Sequence, residues 1–210
     1  MKKNRVFSFK YFLFDFIRIT AIPALLVFRP KAKYISDAAK KKIKGGALVM
    51  SNHIGFADPV YLMVSLWYRR HHFIAMEDLL VNKFLDFLFH KAFLAITISR
   101  ENFTLDAFRK IVDHLQNEEL ITMFPEGRIN REENVINPFK PGIVLMAQKS
   151  GKPIIPVYMK KKNHFYDRLI YAVGEPYYVD SSKCSIDDLG QVCQELYQKE
   201  LDLQALCNSK

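Results

Sequence analysis

The sequence predicts an α/β domain whose mostly parallel central sheet is flanked by helices, preceded by a separate N-terminal helical segment. Three observations predict it. Short apolar runs alternate with helix-length amphipathic stretches from residue 47 onward, the pattern of a layered sheet with crossover helices. Several of the short runs are apolar throughout, as in strands buried on both faces. The excess positive charge is confined to the first quarter of the chain: residues 1–50 carry 12 Lys/Arg and 2 Asp/Glu, a net of +10, and the remaining 160 carry 19 and 20, a net of −1.

The elements are read in order. Residues 1–30 form one unit and residues 31–210 the main domain, which is large enough to bury a substantial core. Ala47-Leu48-Val49-Met50 follows Gly45-Gly46 and reads as a buried strand over 47–51. Pro59 opens a helix over 59–69, since its missing N–H costs nothing in a first turn. Further strands are expected at 72–76, 94–98, 120–124, 153–159 and 168–173, and helices at 83–91, 103–116 and 141–150. Phe108, Ile111, Val112 and Leu115 lie at helical spacing and belong to the core. An amphipathic helix from about Ser185 to Leu206 closes the domain.

The first 30 residues mix basic residues with Phe7, Phe9, Tyr11, Phe12, Leu13, Phe14, Phe16, Ile17 and Ile19. The longest charge-free run, Ile19 to Phe28, is divided by Pro23 and is too short to span a bilayer. No small-residue cleavage site marks a signal peptide. A helix lying in the interface of an anionic membrane fits this composition, and a helix packed on the domain's own core is the competing expectation. The interleaved bulky aliphatics and the lack of a nucleic-acid-binding motif argue against nucleic acid. Cys184, Cys193 and Cys207 are odd in number and lack C-x-x-C spacing, so neither a disulfide framework nor a zinc site is expected, and reduced cytoplasmic thiols are the default. His71-His72 has no carboxylate or cysteine at ligand spacing, and no metal is expected there.

His53 and Asp58 share the segment Ser51-Asn52-His53-Ile54-Gly55-Phe56-Ala57-Asp58-Pro59. Histidine titrates near neutral pH and can take a proton from a hydroxyl. A carboxylate beside it fixes the tautomer and stabilises the imidazolium that forms. The pair falls on a strand-to-helix loop, where α/β proteins place their chemistry. Two plainer roles compete: Asp58 before Pro59 suits a helix N-cap, and His53 alone would be an ordinary loop histidine.

A second motif, Ile121-Thr122-Met123-Phe124-Pro125-Glu126-Gly127-Arg128, ends a strand-like run and leaves Glu126 and Arg128 at its C-terminal end. Together the two segments resemble the glycerolipid acyltransferase family, typified by lysophosphatidic acid acyltransferases, whose first block is N-H-x-x-x-x-D and whose third is F-P-E-G. Ile96-Thr97-Ile98-Ser99-Arg100 is similar to the second block, and Pro153-Ile154-Ile155-Pro156-Val157 to the fourth. The resemblance covers roughly residues 45 to 175. Two departures stand out. Leu94 occupies the place of the second block's usual glycine, and Arg128-Ile129-Asn130 replaces the usual Thr-Arg-Ser, as in some phospholipid-remodelling members.

The resemblance implies acyl transfer from a thioester without a covalent enzyme intermediate. His53 is then the general base and Asp58 its orienter, while amides of the Gly55 loop or the following helix are candidates for the oxyanion. Arg100, Glu126 and Gly127 match the acceptor-binding positions. Arg128 lies one place before the family's usual arginine. Surface pairing of Arg100 with Glu101 and of Arg128 with Glu132 is the bland alternative. Lys140 is a further basic candidate, and Lys160-Lys161-Lys162 is expected to form a solvated turn. The implied reaction joins an acyl chain to a lysophospholipid, first of all lysophosphatidic acid, giving phosphatidic acid. The implied co-substrate is acyl-acyl-carrier protein or acyl-coenzyme A, with no bound cofactor or metal. The implied place is the cytoplasmic face of a membrane, peripheral or monotopic. Two rivals stay open: another lysophospholipid acceptor, and a non-catalytic membrane-binding protein of the same fold.

Overall fold

The computed structural model describes residues 11–20, 22–77, 82–92, 94–99, 104–132, 135–162, 164, 167–180, 182 and 185–209. In chain order the elements are α1 (Phe12–Thr20), α2 (Ile22–Phe28), β1 (Lys31–Tyr34), β2 (Ala47–Ser51), α3 (Asp58–Ser65), β3 (His71–Met76), α4 (Lys83–Ala92), β4 (Ile96–Ile98), α5 (Leu105–Gln116), β5 (Leu120–Met123), α6 (Gly142–Ser150), β6 (Ile154–Met159), β7 (Ile170–Val173) and α7 (Ile186–Asn208). The strands form one sheet in the order β1-β7-β6-β2-β5-β3-β4. Every pairing is parallel except β6 with β7. The fold is therefore the α/β layer expected, with β1 and β7 running against the other five strands.

Alternation along β2 shows how the layers are made. Leu48 and Met50 face one side, where Ile111 and Leu115 of α5, Ile143 and Met146 of α6, and Leu196 and Leu203 of α7 close over them. Ala47 and Val49 face the other, against Phe14 of α1 and Leu62 and Met63 of α3. A strand covered on both faces needs apolar residues at every position, which is why this run shows no alternation in sequence. Close approach is built in at Gly46, where a Cβ would stand 2.0 Å from the Leu115 carbonyl oxygen.

Two differences from the sequence expectation have local causes. β1, Lys31-Ala32-Lys33-Tyr34, has no apolar run to announce it. It is an edge strand, where lysines discourage further pairing, and Lys33 Nζ donates to the carbonyls of Leu206 (2.9 Å) and Ser209 (2.6 Å) at the end of α7. The strand expected at 94–98 shortens to Ile96–Ile98 because Leu94 has a φ of +49°, in the left-handed region. A glycine is the usual residue for such a conformation, so the departure at Leu94 carries a backbone cost that its burial offsets.

The N-terminal helices pack on the main domain. Residue 31 opens β1, but the core crosses that boundary: Phe14 is buried with Val49 and Leu62, and the buried Asp15 carboxylate accepts from Arg70 Nε (2.9 Å) and Nη2 (2.7 Å). The opposite side stays apolar and open, with Phe12, Phe16, Ile19 and Val27 about half exposed and Leu26 80 % exposed. Lys162 is not part of a solvated turn. Its ammonium lies over the rings of Phe28 (4.5 Å) and Tyr61 (5.3 Å), joining the end of α2 to α3. No helix among the described residues is long and apolar enough to cross a membrane.

Candidate active site

β2 and β5 are adjacent parallel strands, so the loops that follow them emerge side by side at the C-terminal edge of the sheet. His53 lies on the first loop and Glu126 on the second. His53 Nδ1 is 2.7 Å from Asp58 Oδ2, and the same oxygen accepts from the backbone N–H of Ile54 (2.7 Å) and Gly55 (2.9 Å). Asp58 is only 1 % exposed. It does not cap its helix: the N-cap of α3 is Ala57, and the Asp58 side chain turns back onto the histidine loop. The His53 ring stacks on Phe124 with centroids 4.1 Å apart at 14°, which fixes the imidazole plane. With Nδ1 held by the carboxylate, Nε2 is the ring nitrogen left for an acceptor hydroxyl.

The Gly55-loop amides are a point of correction. They are natural candidates for an oxyanion, but those of Ile54 and Gly55 are already spent on Asp58. They pre-organise the carboxylate instead.

Glu126 is buried and turned into the protein. Its Oε1 accepts from the His53 backbone N–H (3.1 Å). Its Oε2 accepts from Asn130 Nδ2 (3.2 Å), Asn137 N (2.9 Å) and Asn137 Nδ2 (2.8 Å). Asn130 N also donates to the His53 carbonyl at 2.6 Å. Glu126 thus ties the F-P-E-G loop to the histidine loop. Gly127 has φ +69°, and a Cβ there would lie 2.8 Å from Lys140 Nζ, so the Lys140 side chain passes over this position. Arg128 is exposed and donates to Asn137 Oδ1 (3.0 Å) rather than pairing with Glu132. Arg100 lies outside the described residues.

Two supporting residues have no role legible in the sequence. Asn52 Nδ2 donates to the Met159 carbonyl (2.9 Å) and Met159 N donates to Asn52 Oδ1 (2.8 Å), which locks the end of β2 to the end of β6. Glu200 of α7 is fully buried, and its Oε1 accepts from Asn52 N at 3.1 Å, one residue before His53. A polar cleft of about 220 Å³ lies against the chain neighbours of His53, lined in part by Asn52, Ile54, Glu126, Glu132, Lys160 and Lys161.

Residues 31–160 match the family described as Acyltransferase. The chain belongs to that family. It is 28 % identical over 111 residues to the 1-acyl-sn-glycerol-3-phosphate acyltransferase of Bacillus subtilis, covering 53 % of this chain and 54 % of that protein. It is 29 % identical over 133 residues to the Caenorhabditis elegans protein acl-1, covering 54 % of this chain and 49 % of that one. The chain spans about half the length of these curated relatives. The crystal structure of the 1-acyl-sn-glycerophosphate acyltransferase PlsC from Thermotoga maritima superposes with a TM-score of 0.66 at 18 % identity, covering 96 % of this chain and 82 % of that one, and so shares the fold.

In this acyltransferase-family domain the His53 loop rests on Glu200, whose protonation is set by its surroundings. Burial pushes the Glu200 carboxyl well above the ordinary range; the Asn52 N–H opposes this and the nearby Glu126 adds to it. An acid whose folded pKa is raised contributes most favourably below its ordinary pKa and loses that contribution as pH climbs toward the folded value. Glu200→Gln keeps a carbonyl acceptor for Asn52 N and cannot ionise. Urea unfolding from pH 4.5 to 8 is therefore expected to show the variant gaining stability relative to wild type as pH rises. Parallel pH curves would refute this assignment of the Glu200 charge state.

Proposed function

We propose that the chain transfers an acyl group from an acyl thioester to the free hydroxyl of a lysophospholipid, with lysophosphatidic acid as the first acceptor and phosphatidic acid as its product. One observation carries the reading: the 2.7 Å contact between His53 Nδ1 and the buried Asp58 carboxylate, in a chain of the Acyltransferase family. The name of the Bacillus subtilis relative points to the same acceptor class.

The steps balance without a cofactor. His53 Nε2 takes the proton of the acceptor hydroxyl as its oxygen attacks the thioester carbonyl. The tetrahedral intermediate expels the thiolate, which recovers the proton from the imidazolium. Asp58 stabilises that imidazolium and its tautomer. Lys160 and Lys161, which share the cleft with Glu126 and Glu132, are candidate contacts for the phosphate of the acceptor, and Arg100 and Arg128 are further candidates. The donor is acyl-acyl-carrier protein or acyl-coenzyme A. A panel of lysolipid acceptors offered with both donors, read by lipid mass spectrometry, tests the proposal. Acylation of lysophosphatidic acid ahead of zwitterionic lysolipids is the expected result, and exclusive use of a zwitterionic acceptor would move the chain to phospholipid remodelling.

The acceptor lies in a bilayer, and we place the domain on the cytoplasmic surface of that bilayer through the outer faces of α1 and α2. Phe12 and Phe16 stack there with centroids 6.0 Å apart, beside exposed Ile19 and Leu26. Their insertion is the expected membrane anchor. Deleting the segment would also strip Phe14 from the core, so the informative change is Phe16→Ser with Ile19→Ser and Leu26→Ser. Flotation with anionic liposomes is expected to fall about tenfold or more, since fully burying each such side chain is worth roughly 1.5–3 kcal/mol. Turnover of monomeric short-chain lysolipid should persist. Unchanged flotation would remove these helices from the membrane contact.

A further inference from the structure

Two histidines and a glutamate meet at the edge of the sheet opposite the catalytic loops. His72 is in β3, His114 in the last turn of α5, and Glu119 immediately before β5. His72 Nε2 lies 3.3 Å from Glu119 Oε2, and His114 Nδ1 contacts the same oxygen. The two imidazoles are 4.4 Å apart between centroids. One donor atom from each of the three side chains falls within 4.8 Å of the others. The backbone holds them there. β3 pairs with β5 so that His72 stands opposite Ile121, two residues past Glu119. The α5–β5 turn is closed by Glu119 N donating to the His114 carbonyl at 3.1 Å, which brings positions 114 and 119 together.

We propose that His72, His114 and Glu119 bind a divalent transition-metal ion, with Zn²⁺ as the best fit to the donors. Two imidazole nitrogens and one carboxylate oxygen are a borderline N/O set of the kind Zn²⁺ takes, at bond lengths of about 2.0–2.2 Å. Donors of a tetrahedral ion then stand about 3.3–3.5 Å apart. The His72–Glu119 separation already matches, and His114, about one-third exposed, has room to draw back. The ion would bridge β3 to the α5–β5 turn. Tyr11, at the start of α1, adjoins it: its hydroxyl is 3.4 Å from Glu119 Oε1 and its ring stands edge-on to His72. Arg70 lies over the same tyrosine ring at 5.1 Å and pairs with Asp15 of α1. The ion therefore reinforces the seat of the N-terminal helix. It takes no part in the chemistry, since Glu119 precedes β5 and Glu126 follows it, at opposite ends of one strand.

The test uses the full chain, treated with chelator, dialysed and titrated with Zn²⁺ by calorimetry, with Co²⁺ absorption as a report on coordination. One Zn²⁺ per chain is expected, with a rise in Tm of roughly 5–10 °C at a hundredfold excess over Kd. Changing a partner that merely supports a metal ligand typically costs about 10–100-fold in affinity, so His114→Ala and Glu119→Gln should each weaken binding by about 100-fold or more. His114 is partly exposed, so its variant should fold, and circular dichroism checks this. His53→Ala leaves the cluster intact and should bind as wild type. Absence of stoichiometric binding, binding kept by both His114→Ala and Glu119→Gln, or binding lost in His53→Ala would each overturn the proposal.

Discussion

Purified His53→Ala protein is expected to fold normally and to lose acyl transfer by about 10²–10⁴-fold or more, the usual worth of a positioned general base. The local geometry makes this the largest single effect. His53 is the histidine of the two motif loops, and its Nδ1 is held by Asp58, which leaves Nε2 as the nitrogen proposed to accept the proton. The fold should survive because the links that secure this loop run through the backbone: His53 N to Glu126, the His53 carbonyl from Asn130, and Asn52 N to Glu200. The measurement is steady-state turnover beside thermal unfolding. Near wild-type turnover in a folded variant would end the general-base assignment, and with it the proposed mechanism.

Asp58→Asn is the second large effect. Asp58 Oδ2 accepts three hydrogen bonds, from His53 Nδ1, Ile54 N and Gly55 N. The amide keeps one oxygen and can satisfy the two backbone donors. If its oxygen also receives Nδ1–H, the imidazolium loses its counter-charge. If its nitrogen faces Nδ1, the ring is forced into the tautomer with a proton on Nε2 and cannot act as a base. Both arrangements impair transfer. Turnover should fall by about 10²–10⁴-fold, the same lesion costing about 10⁴ in a Ser-His-Asp site. Weakening charge-assisted hydrogen bonds should also lower stability by roughly 1–3 kcal/mol. Full turnover with only a lowered Tm would make Asp58 a loop staple and nothing more.

The legible part of this protein is the part that local chemistry dictates. β2 and β5 announce themselves because strands buried on both faces carry apolar residues at consecutive positions, as Leu48-Val49 and Leu120-Ile121 do. The dyad is legible because only four residues of one loop separate His53 from Asp58, so no long-range contact is needed to bring them together. β1 was not legible, since an edge strand rich in lysine has neither an apolar run nor alternation. Asp58 shows the limit within a short segment: an Asp before Pro59 suits a cap equally well, and the rotamer toward His53 is chosen by the Ile54 and Gly55 amides.

By itself, then, the sequence determined the layered α/β fold, the order of its main strands and helices, the two motif-bearing loops, and the histidine–carboxylate pair. Periodicity and short-range turn chemistry carry the fold and its elements, and the resemblance of the two motifs to the glycerolipid acyltransferases carries the loops and the pair. The tertiary structure decided the rest. It turned Glu126 inward as a brace, set Glu200 beneath Asn52 across 148 positions of chain, seated α1 on the core through Phe14 and Asp15, and gathered His72, His114 and Glu119 at one end of β5. The physical reason is common to all four. A hydrophobic pattern tells which face of an element is buried, because water acts on every apolar group alike. A hydrogen bond or ion pair depends on one particular partner at one distance, and only the packed sheet and its helices bring that partner within reach.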